Sequence, residues 1–334
     1  MLKANLNSIN LFIVGDCAHM AKLVLGIDLG GTDCKFGLMD ETGHIVRKAK
    51  YPTRGELGPQ GVLENMAENA RKLMGDDVMR AVGLGVPGVM SSARGFVYEA
   101  PNLPGWVNVP VGAMLSQALG LSVAVNNDAN AAAYGEFWAG AGRAVETMIM
   151  FTLGTGVGGG IILDGKLYTG PDDTAAELGH MCVKYDGPRC GCGAFGCLEA
   201  LASATAVRRM VMEALAAGRS TRIEIPDNEL ELGAKAVADA AMAGDLLARE
   251  IFDTVGQALG AAVGTVINIF NPDMIVFGGA MANAGELIFD PVRREARAHS
   301  FAKPFSRVQI VRADLGEDAG IVGAAGLALK AERG

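Results

Sequence analysis

No stretch of this chain reaches the roughly 20 uninterrupted apolar residues that a membrane-spanning helix needs. The nearest, Thr254 to Phe270, is interrupted by Gln257 and Asn268 and reads as a buried helix. Runs of basic residues are lacking as well: 29 Lys and Arg stand against 37 Asp and Glu, for a net charge of −8. An acidic chain without clustered Lys or Arg is a poor polyanion binder, so neither nucleic acid nor a membrane is expected as a partner. No secretory leader is expected either. The short apolar patch Leu11 to Val14 has one Lys ahead of it and no A-x-A-like site behind it. The pattern of folded structure begins at Lys22, just behind Met20. Met20 is therefore the expected natural start, with residues 1–19 an upstream extension and 1–21 disordered. The cytoplasm, where disulfides are rare, is therefore the expected compartment.

What is present is the material of a globular α/β protein. Half of the 334 residues are hydrophobic, enough for a core and too many for intrinsic disorder. At roughly 150 residues per domain, the length predicts two domains. Short apolar runs alternate with helical patterns, as in an α/β fold. LVLGIDL (23–29) and CKFGLM (34–39) predict two strands joined by Gly30-Gly31-Thr32, and 60–74 predicts a helix with Val62, Met66, Ala70 and Leu73 on one face. Ala81–Val86 predicts a strand and 129–141 a helix. A second strand–glycine–strand unit follows in MIMFTL (148–153), GTGVGGG (154–160) and IILDG (161–165). Aligning Gly30 with Gly154 superimposes the two units, an internal repeat about 124 residues apart. Further on, Ser203 caps a helix through about Ala217, Asp245 opens a long helix ending before Asn271-Pro272, and MIVF (274–277) is a buried strand. An Ala/Gly-rich helix closes the chain over 320–330.

Glycine is about twice as common as usual, at 46 residues with no G-X-Y period, which predicts loops that need bare backbone. Gly83–Gly88 and Gly154–Gly159 both match G-x-G-x-x-G. A dinucleotide fold requires that turn to open a helix, and neither does: the first contains Pro87, and the second runs into a β-like segment. G-x-x-x-x-G-K-[ST] is absent. There remain two glycine loops between paired strands, one carrying Asp28, Thr32 and Lys35, the other Thr155. Bare N–H groups in such turns form anion-binding concavities. Two of them from two half-repeats suit a polyphosphate gripped from both sides.

His180, Cys190, Cys192 and Cys197 put one imidazole and three thiols within 18 residues. Small residues between them let the chain wrap a sphere, and Cys₃His is a tetrahedral zinc set with sulfur at roughly 2.3 Å. With all four positions filled, that zinc is structural. PNLPGW (101–106), NNDAN (126–130), AELGH (176–180) and CLEA (197–200) gather amides and carboxylates, which read hydroxyl groups that both donate and accept. Each segment also has a plainer account: Asn102 as a turn residue, Asp128 as a helix N-cap, Glu199 as a solvated helix charge.

Together LGIDLGGTDCKFGL, GVPG, PNLPGW, NNDAN, LGTGVGGGII, ELGHM, CGCGAFGCLEA and IVFGGAMANAG, in order over residues 22–330, resemble the ROK family of sugar kinases and repressors. The resemblance implies an actin-like, ribonuclease-H-like ATPase fold of two α/β domains flanking a cleft. These would be a small domain near 22–125, to which a C-terminal helix at about 318–334 returns, and a large one over 126–317 with the zinc site. It implies that Asp128 is the catalytic base and that Asn102, Asn127, Glu177, His180 and Glu199 hold the sugar. Gly30, Gly31, Thr32, Lys35, Gly154, Thr155 and Gly156 would face the ATP phosphates, with Asp28 near Mg²⁺. Gly278 and Gly279 resemble the adenosine segment. His180 would serve zinc with one nitrogen and sugar with the other. The family usually has Asn where Asp33 stands. A hexokinase-type enzyme acting on glucose and ATP is the expected function, in a homodimer. An N-acetylhexosamine kinase is the alternative within the class. A sugar-sensing repressor needs a helix-turn-helix domain of roughly 60–80 residues ahead of the body, where about 22 stand before the first strand. An actin-like ATPase without a sugar leaves the His–Cys cluster unexplained.

Overall fold

The computed structural model describes residues 22–333, so the expected extension over 1–21 lies outside the described residues. Strands β1 (Leu23–Leu29), β2 (Asp33–Met39) and β3 (Ile45–Pro52) form an antiparallel meander. Helix α1 (Gly58–Met74) then carries the chain to β4 (Met79–Val86), which pairs parallel with β1. Three short strands, β5 (Val89–Ser91), β6 (Phe96–Glu99) and β7 (Val107–Val109), make a small sheet of their own. Helix α2 (Val111–Leu119) leads into β8 (Val123–Asn127), parallel to β4, and α3 (Asp128–Ala139) leaves it. Strand β1 is covered on both faces, which is why LVLGIDL reads as a nearly continuous apolar run.

The second sheet repeats the plan. Strands β9 (Met148–Leu153), β10 (Val157–Leu163) and β11 (Lys166–Tyr168) are again an antiparallel meander. A helical stretch follows: α4 (Glu199–Ala202), α5 (Ala204–Ala216), α6 (Ala234–Met242) and α7 (Leu246–Phe270). Then β12 (Met274–Gly278) pairs parallel with β9. Helices α8 (Glu286–His299) and α9 (Ala302–Phe305) lead to β13 (Gln309–Arg312), and α10 (Ala319–Arg333) closes the chain. The strand orders β3-β2-β1-β4-β8 and β11-β10-β9-β12-β13 are the same. The repeat read from Gly30 and Gly154 thus extends over both sheets.

The two halves are tied by their last helices. Helix α10 packs on β1 and β4 of the first sheet, α3 packs on β10 of the second, and the two helices pack on each other. A Cβ at Gly26 or Gly83 would run into the α10 backbone at Ile321 or Ala324, and one at Gly323 into the carbonyl of Ala131. Gly256, Gly260 and Gly264 face α8 in the same way. Much of the glycine excess therefore serves close crossings of packed elements, which corrects its assignment to loops. Likewise the glycine loop expected over 154–160 ends at 156, because Val157–Gly160 pair with β9. Ser203 and Asp245 cap α5 and α7 as expected, accepting from the amides of Ala206 and Ala248. No helix among the described residues is long and apolar enough to cross a membrane.

Candidate active site

The residues singled out by sequence collect at the carboxyl ends of the parallel strands, where open α/β sheets bind ligands. Lys50, Lys35, Asp28, Gly85 and Asn126 form one cross-strand row over the first sheet. Beyond Asp28 the chain turns through Gly30, Gly31 and Thr32. The Gly30 amide closes the turn on the Asp33 carbonyl at 3.0 Å, and the buried Thr53 braces it, donating its hydroxyl to the Gly30 carbonyl at 2.6 Å. The amides of Gly31 and Thr32 meet no protein acceptor among the described residues. The second loop is built alike. The Gly154 amide closes on the Gly156 carbonyl at 3.0 Å, and the amides of Thr155 and Gly156 are free among the described residues. Its carbonyls are pinned from α5: the Ala204 amide donates to Gly154 and the Thr205 hydroxyl to Thr155, both at 2.9 Å. Gly278 and Gly279 end β12 beside it, with Gly279 at φ 83 against the backbone of Leu153. Four unpaired amides on two loops are a set of donors for anionic oxygen.

Asp128 is the first residue of α3, and its neighbour does the capping. Asn127 Oδ1 accepts from the amides of Ala129 and Asn130, which corrects Asp128 as the N-cap. Desolvation pushes the Asp128 carboxyl up to about 7, and the carboxylates of Asp28 and Glu177 add to the effect. Burial also raises Asp28, against the opposing charge of Lys35. The Asp28 carboxylate accepts no hydrogen bond among the described residues, so a half-buried carboxylate is left for a cation. Lys35 itself is held by Glu317, 3.5 Å from its carboxylate and 3.2 Å from its carbonyl. Asp33 is balanced by Lys50 at 2.9 Å. Glu317, Lys50 and Thr53 were not legible as site residues, because nothing in their local sequence marks them. Asn102 lies in an exposed turn whose carbonyl borders Gly31.

The cysteine segment packs against the second loop. The ligand atoms of His180, Cys190, Cys192 and Cys197 all lie within 4.8 Å of one another. Cys190 Sγ is 3.7 Å from His180 Nδ1, and Cys192 Sγ is 3.7 Å from Cys197 Sγ. A tetrahedron with bonds of about 2.3 Å to sulfur has edges of about 3.8 Å, so the four groups fit a zinc ion. Burial and the neighbouring thiols push Cys197 up to about 12, so it stays a neutral thiol unless a cation lies alongside. Glu199 joins this cluster to the loop. Its Oε2 accepts from the Val157 amide at 3.0 Å while Oε1 lies 3.7 Å from Cys190 Sγ. A side chain at Gly156 would displace that carboxylate. Glu199 is thus a bridge rather than a solvated helix charge. Glu177 and His180 are exposed beside it, and Nδ1 is the His180 nitrogen that meets Cys190 Sγ.

A model of the ROK family matches residues 24–331. The chain belongs to the ROK family. Among its relatives is a glucokinase of Thermotoga maritima, 41% identical over 310 residues, which cover 92% of this chain and 98% of that protein. The structure is similar to a ROK family glucokinase from Streptomyces griseus in complex with glucose and AMPPNP. The TM-score is 0.80 at 35% identity, covering 92% of this chain and 99% of that one. A ROK family transcriptional regulator, a homologue of the E. coli MLC protein, gives a TM-score of 0.82 at 27% identity, covering 93% of this chain and 78% of that one. The fold is therefore the actin-like α/β fold of ROK proteins.

Proposed function

We propose that this ROK protein is an ATP-dependent glucose kinase whose base is Asp128. The observation that carries the proposal is a carboxyl raised to about 7 at the carboxyl end of β8, flanked by the carboxylates of Asp28 and Glu177. A general base works best with its pKa near the working pH. The relatives named glucokinase, which match nearly the full chain, support the substrate.

On this proposal the lobes are 22–125 with α10, and 126–317, and sugar and ATP meet between them. Asn102, Asn127, Glu177, His180 and Glu199 bind the hexose. Asn127 offers its amide nitrogen, because its oxygen is committed to capping α3. Asp128 takes the proton of the attacking hydroxyl. Gly31, Thr32, Thr155 and Gly156 supply the free amides to the phosphates, with Lys35 released from Glu317. Gly278 and Gly279 border the adenosine. Asp28 would hold Mg²⁺, which would supply positive charge to the phosphates. His180 and the three cysteines would hold zinc, which would fix the segment that presents Glu177 and Glu199. A cytoplasmic homodimer acting on free hexose completes the proposal.

Coupled ADP release measured with glucose, mannose, fructose, GlcNAc and ManNAc tests it. Turnover greatest with glucose is expected. Preference for an N-acetylhexosamine would replace the substrate, and no turnover with any sugar would overturn the kinase. The pH profile is a second check. Asp128 is an active base only when ionised, so kcat/KM should fall about tenfold per pH unit below about 7.

A further inference from the structure

Asp173 and Ser92 meet across the two halves of the molecule. Ser92 sits in the turn between β5 and β6, and Asp173 in the loop that follows β11. Asp173 Oδ2 accepts from the Ser92 amide at 2.8 Å, and Oδ1 accepts from the Ser92 hydroxyl at 2.9 Å. Both carboxylate oxygens are thus committed to a single residue 81 positions away.

The loop so held leads directly to Glu177. It is closed on itself by the Ala175 amide on the Thr169 carbonyl at 3.0 Å and by Thr174 on Asp172 at 2.7 Å, without strand pairing. Asp173 and Ala176 both adopt left-handed backbone, at φ 62 and φ 67. Ala176 has no polar side chain to favour such backbone and keeps it only where its surroundings over-determine it. The Ala176 carbonyl in turn accepts from the Leu178 amide at 2.7 Å, at the head of the single 3-10 turn Leu178–His180. Leu178 is buried against Gly159. The segment is therefore fastened at one end in the large lobe and at the other to the small one.

We propose that Asp173 is a positioning residue for sugar capture. By clasping Ser92 across the cleft, it sets the backbone that presents Glu177 and His180 to the hexose. The inference rests on the assignment of sugar to those two residues. It adds a second requirement: the loop must be docked on the small lobe for the site to be competent. Without the clasp only a fraction of molecules present both groups, and apparent sugar affinity falls by that fraction. ATP, held at the glycine loops, does not sense it.

Steady-state kinetics of Asp173→Ala, Ser92→Ala and the double variant test the clasp in the full-length protein. Asp173→Ala should raise the sugar KM about tenfold, with the ATP KM unchanged and kcat at saturating sugar within about twofold. Ser92→Ala keeps the amide donor and should give a smaller rise, which disappears in the Asp173→Ala background. Ser92→Thr, which keeps the hydroxyl, should retain most of the affinity that Ser92→Ala loses. A merely structural contact would lower kcat and melting temperature together, with no selective rise in the sugar KM. That outcome, or an unchanged sugar KM in both single variants of an active enzyme, overturns the clasp. A wild-type protein that turns over no hexose overturns the sugar assignment itself, and the clasp with it.

Discussion

Asp128→Asn should lower kcat by roughly 10²–10⁴, the range for removal of a general base, with no loss of stability. The amide keeps the shape of the side chain, and its oxygen can still accept from the Ala129 amide, as Asp128 Oδ1 does at 2.8 Å. The helix keeps its cap, because the cap is Asn127. Only the capacity to take a proton is removed. The pH dependence of stability gives an independent reading of the same group. Its folded value of about 7 lies above the ordinary 3.8, so the native state holds a proton that the unfolded chain has released. Stability contributed by this group is complete below about 3.8 and is lost as pH rises through 7. Above 7 the ionised carboxylate is a cost, which Asn does not carry. The Asn variant should therefore melt no lower than the parent at pH 8, and its advantage should shrink as pH falls toward 4. Near-normal turnover would remove Asp128 as the base. Lost turnover with a much lower melting temperature would make it a structural residue.

What could be read from sequence was what is local. The strands, the caps at Ser203 and Asp245, and the cysteine spacing are all decided within about one turn or one loop, and the structure keeps them. The cap of α3 was misplaced by one residue because Asn127 and Asp128 are comparable caps. Which of them lies outside the helix is set by where the pairing of β8 with β4 stops, at Val86 opposite Asn127. The run GTGVGGG looked like loop because glycine disfavours strands. Within it, Gly158, Gly159 and Gly160 instead leave room for Ala129, Leu178 and Ala133. Long-range partners left no local trace at all. Lys35 and Glu317 are 282 positions apart. Glu136, fully buried, accepts from the amides of Ala141, Asp314 and Leu315, and so joins the end of α3 to the approach to α10. A glutamate in a helical stretch gives no sign that its charge will be satisfied by backbone from the far end of the chain.

Cys192→Ala should remove zinc and, with it, raise the sugar KM tenfold or more while lowering the melting temperature by several degrees. The coupling follows from two contacts that meet at Cys190 Sγ. Glu199 touches Cys190 Sγ with one oxygen and the Val157 amide with the other. His180 turns Nδ1 to the thiols, which leaves Nε2 for a hydroxyl. Groups that orient metal ligands typically change affinity or activity by 10–100-fold when removed, and here the proposed ligands would themselves orient the groups proposed to bind sugar. Cys192 is the exposed thiol of the three, so its truncation opens little cavity in the core. Loss of packing therefore contributes little to the effect. Elemental analysis of protein purified without chelator should find one zinc per chain in the parent and none in the variant. Chelation of the parent should reproduce the variant's sugar KM, and added zinc should reverse it in the parent alone. A parent without zinc would overturn the site. Zinc lost with the sugar KM unchanged would leave the site standing and detach it from Glu177, His180 and Glu199.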